Sequence, residues 1–216
     1  ETFKAIQADY CLHVFPKKEI AKLAKKAKIP VRIGTSHRLF HLLTCNVRLN
    51  FTRKNSDFHE AQLNFELLRP FGLTDIPSLK LLMEYGSLFK PVPVDLPQEI
   101  NALLVGSSKT VILHPKSQGS ALEWPLERYM ELASFLANEG TRVLFTGTQH
   151  EGDQFRALIP SHERIVDLTG KLSLSEFIVL ISKVDALVAC STGPLHIAGV
   201  CGTHAVGLYS QRLSDG

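Results

Sequence analysis

The stretch TVILHPKSQGSALEWPLERYMELASFLANEGTRVLFTG, residues 110–147, decides the fold. TVILHP (110–115) reads as a buried strand and a Gly/Ser-rich loop follows it. A helix is predicted from Pro125 to about Asn138 with Gly140 as its C-cap, and TRVLFTG (141–147) returns as a strand. A strand, a helix and a second strand in that order imply parallel neighbours with a helix packed on the sheet face. Downstream the alternation continues through a helix over 151–158, strand RIVDL, helix LSLSEFIVLISKV, strand DALVAC, a short helix from Pro194 and strand HAVGLYS. Five strands alternating with four helices predict an α/β, doubly wound domain.

Upstream, DYCLHVF (9–15), KKEIAKLAKKAK (17–28) and VRIGTS (31–36) form a second strand, helix, strand unit bounded by Pro16 and Pro30. Residues 37–60 are poorly periodic, and FHEAQLNFELLR (58–69) reads as an amphipathic helix stopped by Pro70. Five prolines between 70 and 97 mark a linker. The expected division is therefore 1–100 and 101–216.

Composition excludes several classes. At 216 residues, with 44% hydrophobic and 21% charged residues, the chain is neither disordered nor fibrous. Cysteines 11, 45, 190 and 201 show no zinc spacing and no disulfide framework, so a reducing cytoplasmic setting is expected. No apolar run approaches the roughly 20 residues of a membrane span, and ETFKAIQADY lacks the features of a signal peptide. Residues 1–60 hold 12 Lys and Arg against 5 Asp and Glu, whereas the rest holds 12 against 16. Such a basic first part suits an anionic partner, although the six lysines between 17 and 28 would equally serve as a solubilising face.

Ligands of open parallel sheets bind beyond the carboxyl ends of the strands. There CSTGPLHIAG places Ser191, Thr192 and Gly193 between a strand and a helix with Pro194 in its first turn, which suits an anion or serves simply as an N-cap turn. His196 on that helix is either functional or a packed histidine. Lys116 and Ser117 share the same edge, and Glu151 is either a ribose-hydroxyl acceptor or the start of its helix. The dinucleotide and P-loop glycine fingerprints are both absent.

Together, the H-P-x-S loop followed by WPLERY, the LTGKLSLSEF turn and the STGPLHIA turn resemble the heptosyltransferase family of glycosyltransferases, over about 104–210. That resemblance implies a GT-B architecture of two Rossmann-like domains, both incomplete in this chain. It also implies an inverting, metal-independent transfer of a heptose or related sugar to a lipopolysaccharide core or other surface glycan. The donor would be a nucleoside diphosphate sugar such as ADP-heptose, with no separate cofactor and no nucleic acid partner. The acceptor would be an anionic glycolipid, reached by peripheral contact at the cytoplasmic face of the inner membrane. Carried over by position, Lys116, Ser117, Thr192 and Gly193 would meet the diphosphate, Glu151 the ribose and Leu172 the base, while His196 matches the motif histidine.

The chain departs from the pattern at Ser191, where many members carry Asp. It departs again at Leu122 followed by Glu123, where a cation is usual and Lys116 would stand in for it. The general base is expected before Glu1, and the closing helices after SQRLSDG. These departures keep an inactive nucleotide-sugar-binding or scaffold module as the alternative. An epimerase of the same architecture would need an acid/base pair that the sequence does not offer.

Overall fold

The computed structural model describes residues 2–52, 56–86, 89–106, 109–119 and 121–209. SQRLSDG, Ser120 within the first loop and Ser210 at the end of the last expected strand therefore lie outside the described residues. Contacts divide the chain into two units, 1–84 and 85–216.

In the first unit a single turn, α1 (Thr2–Ala5), precedes β1 (Tyr10–Leu12), α2 (Lys18–Lys26), β2 (Val31–Thr35), α3 (Leu39–Thr44), β3 (Val47–Leu49) and α4 (Glu60–Phe65). The three strands form a parallel sheet in the order β1-β2-β3, with Cys11 opposite Arg32 and Gly34 opposite Arg48. Ala21 and Ala24, three residues apart, are the fully buried face of α2, and their small side chains allow close packing there. Gly34 has a specific reason: a Cβ there would stand 2.6 Å from Nδ1 of His41, which donates to the Thr35 carbonyl at 3.0 Å.

Two expectations for this unit are corrected. The poorly periodic segment 37–60 contains α3 and β3, and the predicted helix 58–69 becomes α4 followed by a 3-10 segment, Glu66–Phe71, with Pro70 inside it. Pro70 does not stop the helical path, because short 3-10 runs tolerate a missing N–H near their ends.

The prolines of 70–97 frame a helix, α5 (Leu79–Gly86), and are followed by α6 (Gln98–Leu104). Leu96 and Ile100 are buried in a core of the second unit, so the contact division falls ahead of the expected 100/101 boundary.

The second unit continues with β4 (Thr110–His114), α7 (Leu126–Asn138), β5 (Arg142–Phe145), α8 (Gln149–Phe155), β6 (Ile165–Asp167), α9 (Leu174–Lys183), β7 (Ala186–Cys190), α10 (Gly193–Cys201) and β8 (His204–Leu208). All five strands are parallel in the order β6-β5-β4-β7-β8. The central strand β4 is buried from end to end and alternates its side chains between two cores. Ile112 faces α6, α9 and α10 through Ile100, Leu180 and Ala198. Val111 and Leu113 face α7 and α8 through Tyr129, Ala133 and Phe155. Helices thus cover both faces, and the strand order reverses between β4 and β7, the switch point at which such sheets bind ligands.

Candidate functional site

A cavity of about 570 Å³ opens at that switch point, beyond the carboxyl ends of β4, β5, β6 and β7. Six of the eight residues singled out from sequence line it: Lys116, Ser117, Glu151, Leu172, Thr192 and Gly193. Ser191 and His196 are not among its lining residues, although they belong to the same turn. Ser191 is half-buried before the helix begins, and His196 is exposed on α10, whose Leu195 and Ala198 turn to the core.

Thr192 is the N-cap of α10 by backbone conformation, but its hydroxyl donates to the Cys190 carbonyl at 3.2 Å. The helix therefore starts with no side chain on its first N–H groups. Pro194 has no N–H and the Leu195 N–H donates to the Thr192 carbonyl at 3.2 Å, which leaves the Gly193 N–H at the cavity wall.

Glu151 sits three residues into a capping box. Oε2 accepts from the Thr148 N–H at 2.7 Å and from its hydroxyl at 2.9 Å, while the Glu151 N–H donates back to Thr148 Oγ1 at 3.2 Å. The helix-start reading of Glu151 is therefore realised, and the buried carboxylate lines the cavity as well. Ser173 and Glu176 repeat the device at the start of α9.

Lys116 differs from expectation. Its ammonium is ion-paired with Glu123, whose other oxygen accepts from the Ser117 N–H at 2.8 Å and Ser117 Oγ at 3.0 Å. Burial pushes the Glu123 carboxyl up, but Lys116 and Ser117 outweigh it and hold the group below the usual carboxylate range. The cation expected to replace the one missing at Leu122 is thus internally neutralised.

Residues not singled out from the sequence complete the wall. His114, at the end of β4, pairs Nδ1 with Thr146 Oγ1 at 3.0 Å and stacks on Phe177 with ring centroids 5.8 Å apart. Burial, opposed weakly by Glu151, pushes its pKa below the ordinary histidine value and keeps the imidazole neutral. The H-P of the quoted loop was the available signal for it. Leu168, Leu174 and Phe177 join Leu172 in an apolar wall along β6 and α9. Gly170, at φ +73°, admits this approach because a Cβ there would stand 3.1 Å from the Gln149 backbone. The cavity thus offers a flat apolar side and a side of hydroxyls and N–H groups, a division that accepts a ligand with one aromatic and one anionic end.

The first unit has its own cavity of about 390 Å³ beyond the carboxyl ends of its strands, lined among others by His13, Thr35, His37 and Arg38. Among the described residues no three His, Cys, Asp or Glu side chains gather so as to hold a metal ion.

A doubly wound α/β unit with a ligand crevice at its switch point is the class that fold and site define. The chain belongs to glycosyltransferase family 9 (heptosyltransferase), which residues 3–213 match. A Haemophilus influenzae protein, provisionally named a glycosyltransferase, is 26% identical over 222 aligned positions, covering 100% of this chain and 64% of its own length. The lipopolysaccharide core heptosyltransferase OpsX of the same organism is 30% identical over 109 residues, 48% of this chain and 31% of that one. The chain thus spans less than two thirds of these relatives.

Among solved structures, Escherichia coli heptosyltransferase WaaC with ADP-2-deoxy-2-fluoro heptose superposes with a TM-score of 0.72 at 15% identity, covering 100% of this chain and 67% of that one. A glycosyl transferase family 9 protein from Veillonella parvula gives 0.68 at 18% identity, covering 97% and 66%. The fold is accordingly that of the GT-B proteins of this family, about two thirds of whose length the chain spans.

Proposed function

We propose that the chain is the larger part of an inverting, metal-independent glycosyltransferase. It moves a heptose or related sugar from a nucleoside diphosphate sugar, ADP-heptose being the leading candidate, to a lipopolysaccharide core or another surface glycan. The observation that carries this reading is the switch-point cavity, where Ser117, Thr192 and Gly193 oppose an apolar wall of Leu172, Leu174 and Phe177. The base would lie against that wall, the ribose hydroxyls at Glu151, and the diphosphate at Gly193 and Ser117. Membership of family 9 supports the reaction class.

In the reaction an acceptor hydroxyl oxygen bonds to the anomeric carbon, the bond from that carbon to the diphosphate breaks with its electron pair leaving on phosphate, and the hydroxyl proton passes to a base. The Gly193 N–H and the positive end of α10 stabilise the departing charge in a fixed setting. A carboxylate is the class of group suited to take that proton. The acceptor would enter through the first unit, whose cavity offers His37 and Arg38 to its anionic groups. The setting is the cytoplasmic face of the inner membrane, with peripheral contact. The test is incubation of the full-length protein with ADP-heptose and a heptose-free core glycolipid, reading the anomeric configuration of the product by NMR. An inverted linkage formed in the presence of EDTA supports the reading, whereas a retained linkage contradicts it.

One observation favours a second reading, an inactive nucleotide-sugar-binding module. The pairing of Lys116 with Glu123 leaves no free cation at the diphosphate end of the cavity among its described lining residues. Binding of the donor without turnover by the full-length protein would establish that alternative.

A further inference from the structure

We propose that α2 and α3 of the first unit form a docking surface for an anionic lipid bilayer. This surface deepens the glycolipid-acceptor reading by naming the part of the molecule that would bring the site to the membrane.

With Ala21 and Ala24 on the buried face, the helical repeat places Lys18, Lys22 and Lys25 in one row along the flank of α2, at i, i+4 and i+7. Lys26 lies on the outer face beyond it. The adjoining helix is α3, since Lys25 Nζ donates to the Leu43 carbonyl at 2.7 Å. α3 reverses the usual amphipathic arrangement. It buries His41 and Thr44 and leaves Leu39 83%, Leu43 75% and Leu42 50% exposed. Both helices follow their strands and run back along the sheet, so Lys25 and Leu43 share one end, and the loop before α2 and Leu39 share the other. Phe15 in that loop is 72% exposed, with Lys17 Nζ 5.7 Å from its ring centre.

Charge complementarity selects the occupant. Between residues 10 and 52 the only acidic side chain is Glu19, against nine Lys and Arg. Among the described residues none of the α2 lysines is ion-paired. A soluble polyanion would use the lysines and leave three exposed leucines without a purpose. A bilayer uses both, because lysine stems extend to the headgroups while leucines enter the boundary of the acyl chains.

Co-sedimentation of the purified full-length protein with phosphatidylcholine vesicles, with and without phosphatidylglycerol, tests this. The expected result is binding only to the anionic vesicles, released at about 0.5 M salt. It should fall about tenfold or more in both Lys22→Glu/Lys26→Glu and Leu39→Ser/Leu43→Ser. The substituted side chains are exposed, and nucleoside diphosphate binding measured on each variant reports the integrity of the other unit. Loss of vesicle binding by a variant whose circular dichroism and melting curve are unchanged therefore concerns this surface, and failed nucleotide binding by the unsubstituted protein concerns the transferase reading. Three results would overturn the proposal: no binding to anionic vesicles, binding unchanged in the leucine variant, or a dimer that the leucine variant dissociates, which would make a second copy the occupant.

Discussion

Glu123 closes the loop after β4 by binding both Lys116 and Ser117, so two of the four residues expected to meet a diphosphate are already tied to a carboxylate seven and six positions further on. The arrangement fixes the loop without a ligand, and it also places a negative charge beside the anionic end of the cavity.

Glu123→Gln should keep an acceptor for the Ser117 N–H while freeing Lys116. Removing one negative charge near the phosphates is worth about a tenfold gain in nucleoside diphosphate affinity at low salt, shrinking as salt rises. Lys116→Ala should lower affinity instead. Calorimetric titration of both variants at two salt concentrations reads the signs directly.

Glu151 serves the helix and the cavity together, and substitution separates the roles. Glu151→Ala breaks the capping box with Thr148 and should cost about 1 kcal/mol of stability in urea denaturation. Glu151→Gln retains an acceptor at Oε1 and should lose less stability, while weakening a nucleotide that uses the ribose hydroxyls. An equal loss of affinity for nucleotides with and without the 2′-hydroxyl would argue against the ribose role.

Close packing predicts a contrast between two glycines of the second unit. A Cβ on Gly152 would stand 2.1 Å from Thr169 Oγ1, a group held by Asp167 at 2.6 Å and Arg156 at 2.8 Å. Gly152→Ala should therefore cost about 1–3 kcal/mol. A Cβ on Gly193 meets nothing within 4 Å, so Gly193→Ala should leave the thermal midpoint nearly unchanged.

Three buried histidines carry a pH dependence. His13, His41 and His114 are all pushed below the ordinary value of 6.5 by burial, His41 despite its bond to the Thr35 carbonyl. Below that pH the unfolded chain takes up protons that the folded chain refuses, so their contribution to stability is complete above 6.5 and falls as pH drops toward the folded-state values. Urea midpoints measured downward from pH 7 should decline from about 6.5, and the NMR titration of the His114 ring should centre below 6.5.

The second unit was legible because its sequence and its burial agree. β4 is apolar at its centre and fully buried, Thr148-x-x-Glu151 and Ser173-x-x-Glu176 mark helix starts, and Gly140 supplies the left-handed turn after α7 at φ +84°. In the first unit the signals conflict. RLFHLLT buries His41 and Thr44 and exposes its leucines, so apolar periodicity points away from the face that packs. α5 buries no side chain among those described and rests on local propensity amid prolines. In the site, the residues flanking strand ends were readable from topology. The pairing of Lys116 with Glu123 was not, because it depends on the closure of a loop with no repeating pattern.

The central claim is that the switch-point cavity binds a nucleoside diphosphate at the start of α10. The most direct test is calorimetric titration of the full-length protein with ADP, UDP and GDP in EDTA, alongside Gly193→Val. The Cβ of that variant meets nothing within 4 Å, and its branched side chain would crowd the approach to the Gly193 N–H. The account predicts binding of one diphosphate in preference to the others and its loss in Gly193→Val at an unchanged melting temperature. No binding by the folded protein, or equal binding by the variant, would contradict it.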